Sequence, residues 1–339
     1  MKPGEGAAGA AGAVGAAEAA EVTLARSARV RGWEVALWAA IAVGAAALPR
    51  HALLVNEIAI LALFALSLDL VLGYAGIVSL GHAAFFGLGA YAAALFAKHV
   101  DADPLAGLAL ATVLAAVLGA ACSPMIVRGT DLTRLMVTMG VALVLYELAN
   151  RFDGLTGGAD GLQGVVMGPL LGRFDFDLVG RVASVYSLVV LFVAFVLVRR
   201  VAHSPFGWSL QALRDNRLRV SAIGLSVNAR LAAAYTLGAA LAGAAGALLA
   251  QTTGFASLDV LDFHRSADVL MVLVIGGAGW LYGGLVGAIA FKLMHDLLSS
   301  ITPQYWTFWI GAMLVLLMLV GRDRIARPWT WLRRPGATP

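Results

Sequence analysis

Apolar residues run in long blocks along this chain, and polar residues interrupt them at only a few places. The blocks lie at Trp33–Leu48, Leu53–Gly73, Pro104–Val127, Leu135–Leu148, Val182–Val198, Leu231–Gly254 and Trp306–Val320. Each is near, or somewhat below, the roughly 20 residues that a helix needs to cross a bilayer. With the apolar segments after Gly81 and Asp268 they predict an all-α, polytopic membrane helical bundle of about 8 to 10 transmembrane helices.

Two of these stretches are broken by glycine. After the second block the chain continues as GYAGIVSLGHAAFFGLGAY without a charged loop, so the turn must come from Gly73, Gly76 and Gly81 together with Ser79 and His82. In the other half, VLMVLVIGGAGWLYGGLVGAIAFKLMHDLLSS breaks at Gly276, Gly277, Gly279, Gly283 and Gly284. Non-helical backbone survives at membrane depth only where protein or a water-filled cavity satisfies it. A pair of such breaks in corresponding positions marks a translocation pathway. Tyr74, Ser79, His82, Gly276 and Gly277 are therefore pathway candidates, as are the intramembrane carboxylates Glu57 and Asp69.

One long basic segment stands apart, RRVAHSPFGWSLQALRDNRLRVSAIGLSVNAR from Arg199 to Arg230. Arg199, Arg200, Arg214, Arg217, Arg219 and Arg230 oppose only Asp215, and such an excess keeps a loop on the cytoplasmic side. Pro205 and Gly207 mark the start of a short helix through Trp208–Arg217 lying along the membrane surface. A plain solvated loop that only sets orientation is the alternative. The loop 150–181 carries Asp153, Asp160, Asp175 and Asp177 against three arginines and belongs outside. Both termini then fall in the cytoplasm, with Arg322, Arg324, Arg327, Arg333 and Arg334 at the C-terminal end.

Composition narrows the class. The chain is 60% hydrophobic and 13% charged, unlike a soluble domain. Its net charge of +4 is spread between apolar blocks and chain ends, which suits membrane lipid and no nucleic acid. Cys122 is the single cysteine, so no internal disulfide forms, and no Cys or His neighbours it to hold a metal. The only lysines are Lys2, Lys98 and Lys292, and none follows a G-x-x-x-x-G-K-S/T loop. ATP hydrolysis would need a separate chain. With no H-E-x-x-H and no nucleophile partnered by histidine, an intramembrane hydrolase finds no support, and neither a catalytic residue nor a cofactor is expected.

The motifs carry a resemblance. SPFGxxLxALRDN, then AIGL, then AYTLGAALAGAAGAL is similar to the cytoplasmic coupling loop of permease subunits of branched-chain amino acid ABC importers. The first glycine-broken motif resembles that of the M-type subunit over its H-type sibling. The resemblance covers most of residues 55–320. It implies a short helix docked on a partner ATPase through Gly207, Gln211, Ala212, Leu213, Arg214, Asp215, Asn216 and Gly224. Trp208, Arg217 and Trp280 depart from the pattern, where a basic, an acidic and a small hydroxyl residue are expected. LTGGADGL matches an external loop of the family, and Thr156, Gly157, Gly158 and Asp160 become candidates for docking a solute-binding protein, beside the bland reading of a surface turn. Implied partners are ATP-binding cassette ATPases, a homologous H-type permease subunit and that binding protein, in a bacterial inner membrane. Implied solutes are branched-chain amino acids or related amides and urea.

The domains follow: 1–30 a mobile Ala/Gly-rich cytoplasmic tail, 31–321 the transmembrane permease domain, and 322–339 a basic cytoplasmic tail. Arg26, Arg29 and Arg31 before the first block also fit a signal peptide, but a first span suits a polytopic chain better. Ionisable groups inside spans are costly and each has two readings. Glu57 and Asp69 serve hydrogen bonding or the pathway. His82 is packed or functional. Lys292 and Asp296, four apart beside His295, form an ion pair or a coupling-ion site. Small residues around Gly243 and Gly246 allow close helix packing, within the chain or between subunits. The competing function is an ion-coupled secondary transporter that uses the intramembrane carboxylates.

Overall fold

The structure of the protein, a computed structural model, describes residues 32–47, 49–129, 131–177 and 179–301 and a few positions between 304 and 315. The expected tails 1–30 and 322–339, and most of the Trp306–Val320 block, lie outside the described residues.

Eleven helices organise the described chain: α1 Gly32–Ala47, α2 Ala52–Leu68, α3 Ala83–His99, α4 Pro104–Arg128, α5 Asp131–Arg151, α6 Arg181–Ala202, α7 Pro205–Asp215, α8 Arg217–Ala222, α9 Val227–Thr253, α10 Phe263–Gly276 and α11 Gly283–Ile301. A single turn at Asp153–Thr156 and short 3₁₀ turns complete the set, and among the described residues only isolated bridges pair extended backbone. Among the described residues, six segments are long and apolar enough to cross a membrane: Pro49–Tyr74, Pro104–Arg128, Leu132–Arg151, Arg181–Ala202, Val227–Thr253 and Gly283–Ile301. The all-α polytopic expectation holds, while the expected eight to ten crossings are matched by these six only in part. The remaining apolar stretches form α1, α3 and α10, of 16, 17 and 14 residues.

Small residues explain the packing at the centre. The middle helix α9 packs against α3 and α4. A Cβ at Gly246 would overlap the Phe86 carbonyl oxygen, and one at Gly243 would overlap Ala115. Lipid offers no hydrophobic drive between helices, so such backbone approach supplies the contact. The small-residue face of α9 is therefore used inside the chain.

Buried polar groups tie the same helices together. Asn56 of α2 donates to Thr252 of α9 (3.0 Å) and accepts from Ser187 of α6 (2.6 Å). Gln251 accepts from the Tyr186 hydroxyl (3.0 Å) and donates to the Pro104 carbonyl (2.7 Å). Asn56 and Gln251, polar groups in apolar blocks, thus find partners on other helices, as burial favours.

Between α9 and α10 the chain re-enters the bundle. Ala256 pairs with Leu162 of the 150–181 loop, yet Leu261 presses on Gly87 of α3 and Ser266 accepts from the Ala83 amide (2.9 Å). Gly87 lies twelve residues before His99, about 18 Å down α3 at 1.5 Å per residue. Helix α10, about 20 Å long, consequently begins beside the first turns of α3 and is shorter than a roughly 30 Å hydrocarbon core.

Candidate functional site

The basic segment forms the short helix that the sequence predicts, starting at Pro205 and ending at Asp215, and then a second helical turn, α8, that it does not predict. Ser204 caps α7 by accepting from Gly207 N (3.4 Å), Pro205 occupies the first turn, and Asn216 caps α8 by accepting from Arg219 N (3.0 Å). Ser209, Leu210 and Leu213 are buried against the bundle, and Arg230 of α9 donates to the Ser209 hydroxyl. Trp208, Ala212, Arg214, Asp215 and Asn216 remain exposed, with Gln211 intermediate. The eight coupling candidates therefore divide. Leu213 and Gly207 are packing residues, and a Cβ at Gly207 would overlap the Ala202 carbonyl. Gly224 is exposed, with φ +81° that only glycine takes readily.

The first break opens with one turn of π-helix, Asp69–Tyr74, continuing α2. Gly76 then turns the chain at φ +66°, and Ile77 N returns to the Val71 carbonyl (2.9 Å). Asp69, Ser79 and His82 are all buried here. The His82 ring stacks on Phe64 at 5.6 Å, with its Nε2 2.9 Å from the Ser67 hydroxyl. Its Nδ1 is buried without a hydrogen-bond partner among the described residues. The second break, Gly277 to Tyr282, joins α10 to α11, which approach closely enough that a Cβ at Gly276 would overlap the Gly283 carbonyl.

These three segments meet at one point. Gly279 N donates to Asp69 Oδ1 (2.6 Å), and Arg214 Nη1 donates to the Gly73 carbonyl. A Cβ at Gly73 would overlap both Asp69 Oδ1 and Gly279 N, and one at Gly76 would stand 2.8 Å from Arg214 Cγ. Asp69, Gly73, Gly279 and Arg214 thus form a single knot of the first break, the second break and the end of α7. The pathway candidates Asp69 and Tyr74 lie at or beside it, whereas Glu57 does not.

Glu57 sits instead with Lys292, at 2.5 Å, and Lys292 also reaches Asp296 at 3.3 Å. The i,i+4 spacing foretold the second contact. The first joins α2 to α11 and had no local signal. Asp268 of α10 lies within electrostatic reach of His264, Arg265, His295 and Asp259. Sequence reasoning also missed the Glu34–Arg199 pair (2.9 Å) and Thr138, whose carbonyl lies where a Cβ on Gly81 would fall. Only the acidic residue in the first apolar block could have hinted at the former.

In the 150–181 loop, Thr156 is buried and its hydroxyl donates to the Ala149 and Phe152 carbonyls. Gly157 and Gly158 take φ +78° and +53°, and Asp160 is exposed. Of the four docking candidates, Asp160 alone carries an exposed charged side chain; the other three build the turn.

A polytopic bundle with paired glycine breaks, knotted to a surface helix, has the architecture of a multi-pass membrane transport subunit. The chain matches the model of the family described as branched-chain amino acid transport system / permease component over residues 51–318, and it belongs to that family. It is 27% identical over 275 residues to the high-affinity branched-chain amino acid transport system permease protein LivM of Escherichia coli K12, covering 75% of this chain and 64% of that protein. It therefore spans less than two thirds of that relative. The LivH permease protein of the same organism is 23% identical over 76% of this chain and 88% of its own length. A probable LivM of Methanocaldococcus jannaschii is 24% identical over 75% and 86%. No solved structure matches the chain significantly.

Proposed function

We propose that the chain is the M-type, channel-forming subunit of an ATP-driven importer for branched-chain amino acids or related small solutes such as amides or urea. A homologous H-type permease subunit pairs with it, ATP-binding cassette ATPases dock on α7, and an extracytoplasmic solute-binding protein docks over the 150–181 loop. The 199–230 segment and both termini face the cytoplasm of a bacterial inner-membrane protein. One observation carries this reading: Arg214 lies at the end of the surface helix and holds the first glycine break, which in turn holds the second through Asp69. A displacement of α7 by an ATPase reaches both breaks directly. The intramembrane carboxylates support an ion-coupled transporter less well, since Asp69 binds the Gly279 amide and Glu57 and Asp296 share Lys292.

The test is gentle purification of the tagged protein from its own membranes, with an Ala212→Arg variant beside it. Ala212 is exposed, so the larger side chain fits without disturbing the bundle. A P-loop ATPase recovered with the parent and lost with the variant supports the importer. Absence of any ATPase across several mild detergents overturns it.

A further inference from the structure

Beside the first break lies a cavity of about 180 Å³. It is lined by Leu80 of the break, by Ala142, Leu143 and Tyr146 of α5, and by Asp262 and Phe263 where α10 begins. Asp262 is the one charged group in its wall, and its Oδ1 caps α10 by accepting from His264 N (2.8 Å). Three residues on, Arg265 holds Asp259 Oδ2 through Nη2 (2.7 Å) and Nε (3.1 Å).

Depth gives this arrangement its meaning. The midpoint of the cavity wall on α5, near Leu143, is about twelve residues, or 18 Å, from the Asp131 end of a 21-residue helix. Helix α10 begins near the same level. The Asp259 and Arg265 side chains are 61% and 42% exposed there. A charged residue facing hydrocarbon at mid-helix costs about 3 kcal/mol or more, so this face meets water or protein instead of lipid tails. Partial helices that start near the midplane present amide groups and polar side chains to a passing solute. An apolar pocket with the Asp262 carboxylate in its wall, and the Arg265–Asp259 ion pair about one helical turn further on, offers an aliphatic side chain a site and each end of a zwitterion a charged partner.

Resting on the importer reading above, we propose that this cavity receives the aliphatic side chain of an amino acid in transit, with Asp262 facing its ammonium and Arg265, now held by Asp259, facing its carboxylate. The cavity then sets which side chains pass. Filling it discriminates against the longer of two homologous solutes, and one methylene in an apolar pocket is worth about tenfold or more.

The experiment uses the complete importer, reconstituted with its ATPases and binding protein in vesicles. Maximal uptake of leucine and valine is measured for the parent and for Ala142→Val. The proposal expects the leucine-to-valine ratio to fall about fivefold or more, and Asp262→Asn, which keeps a capping side chain, to lose uptake of both. An unchanged ratio in a variant that still takes up valine overturns it. Should Ala142→Val fail to assemble, Leu143→Cys decides, because Leu143 is 62% exposed and the native Cys122 is buried. A membrane-impermeant thiol reagent should label Cys at that position, and leucine-loaded binding protein with ATP should slow labelling several-fold. No labelling, or labelling unaffected by leucine, rejects the site. Parent vesicles that accumulate neither solute would overturn the importer reading itself, whereas normal parent uptake with unaltered variants rejects only the cavity.

Discussion

Arg214 donates a hydrogen bond from the end of the surface helix α7 to the carbonyl of Gly73, 141 residues earlier in the chain. The carbonyl belongs to the π turn at which α2 stops being an ordinary helix. A guanidinium is suited to this role, because it keeps its charge at any working pH and its donors are held in a rigid plane.

Removing that donor should separate hydrolysis from transport. In Arg214→Ala the ATPase still binds, through the remaining exposed face of α7, but uptake per ATP hydrolysed falls about tenfold or more, the size expected from losing a charged hydrogen bond of about 1.5–3 kcal/mol. Parallel measurement of ATP hydrolysis and solute uptake in vesicles reads the ratio; an unchanged ratio counts against the knot.

Asp69 separates the two transport classes. Asp69→Asn leaves an amide oxygen for Gly279 N, so an importer retains uptake within about threefold, whereas Asp69→Leu strands a buried amide at a cost of about 1–3 kcal/mol and loses it. An ion-coupled carrier would lose coupled uptake with Asn as fully as with Leu.

Stability should respond more to backbone approach than to buried polar pairs. Gly246→Val forces α9 away from Phe86 and should cost about 1–3 kcal/mol or more. Asn56→Leu removes two interhelical hydrogen bonds, each worth about 0.6 kcal/mol on average in a membrane. Melting temperatures in one detergent should therefore fall further for Gly246→Val than for Asn56→Leu.

Lys292 holds two carboxylates, and their fates should be coupled. Lys292→Met leaves Glu57 and Asp296 facing each other without their cation, and the folded protein should lose melting temperature. Adding Asp296→Asn should restore part of the loss, because like charges no longer oppose. Additive losses would show that the triad is not a unit.

Much of this was legible beforehand because its causes are local. The cap at Ser204, the proline in the first turn of α7, the i,i+4 contact of Lys292 with Asp296 and the positive-φ turns at Gly76 and Gly157 each depend on residues a few positions apart. His82 is buried and stacked on Phe64 at the point where the glycine-broken motif placed it. What could not be read locally was which candidates meet. Gly207 and Leu213 share the coupling motif with Ala212, yet only the register of α7 on the bundle sends them inward.

Apolar block length and the placement of arginines by themselves determined that this is an all-α membrane protein with a polar surface helix, since the cost of exposing backbone and charge to lipid leaves few other arrangements. Its glycine-broken segments named the two places where helices fail. Tertiary structure alone decided that Asp69, Gly73, Gly279 and Arg214 share one knot, that Glu57 reaches Lys292, and that α10 begins beside the first turns of α3 and next to a cavity. Those contacts join residues between 141 and 235 positions apart, a separation that no local pattern spans, and glycines at the contacts themselves, Gly73 against Gly279 and Gly284 against Ala65, let the segments come that close.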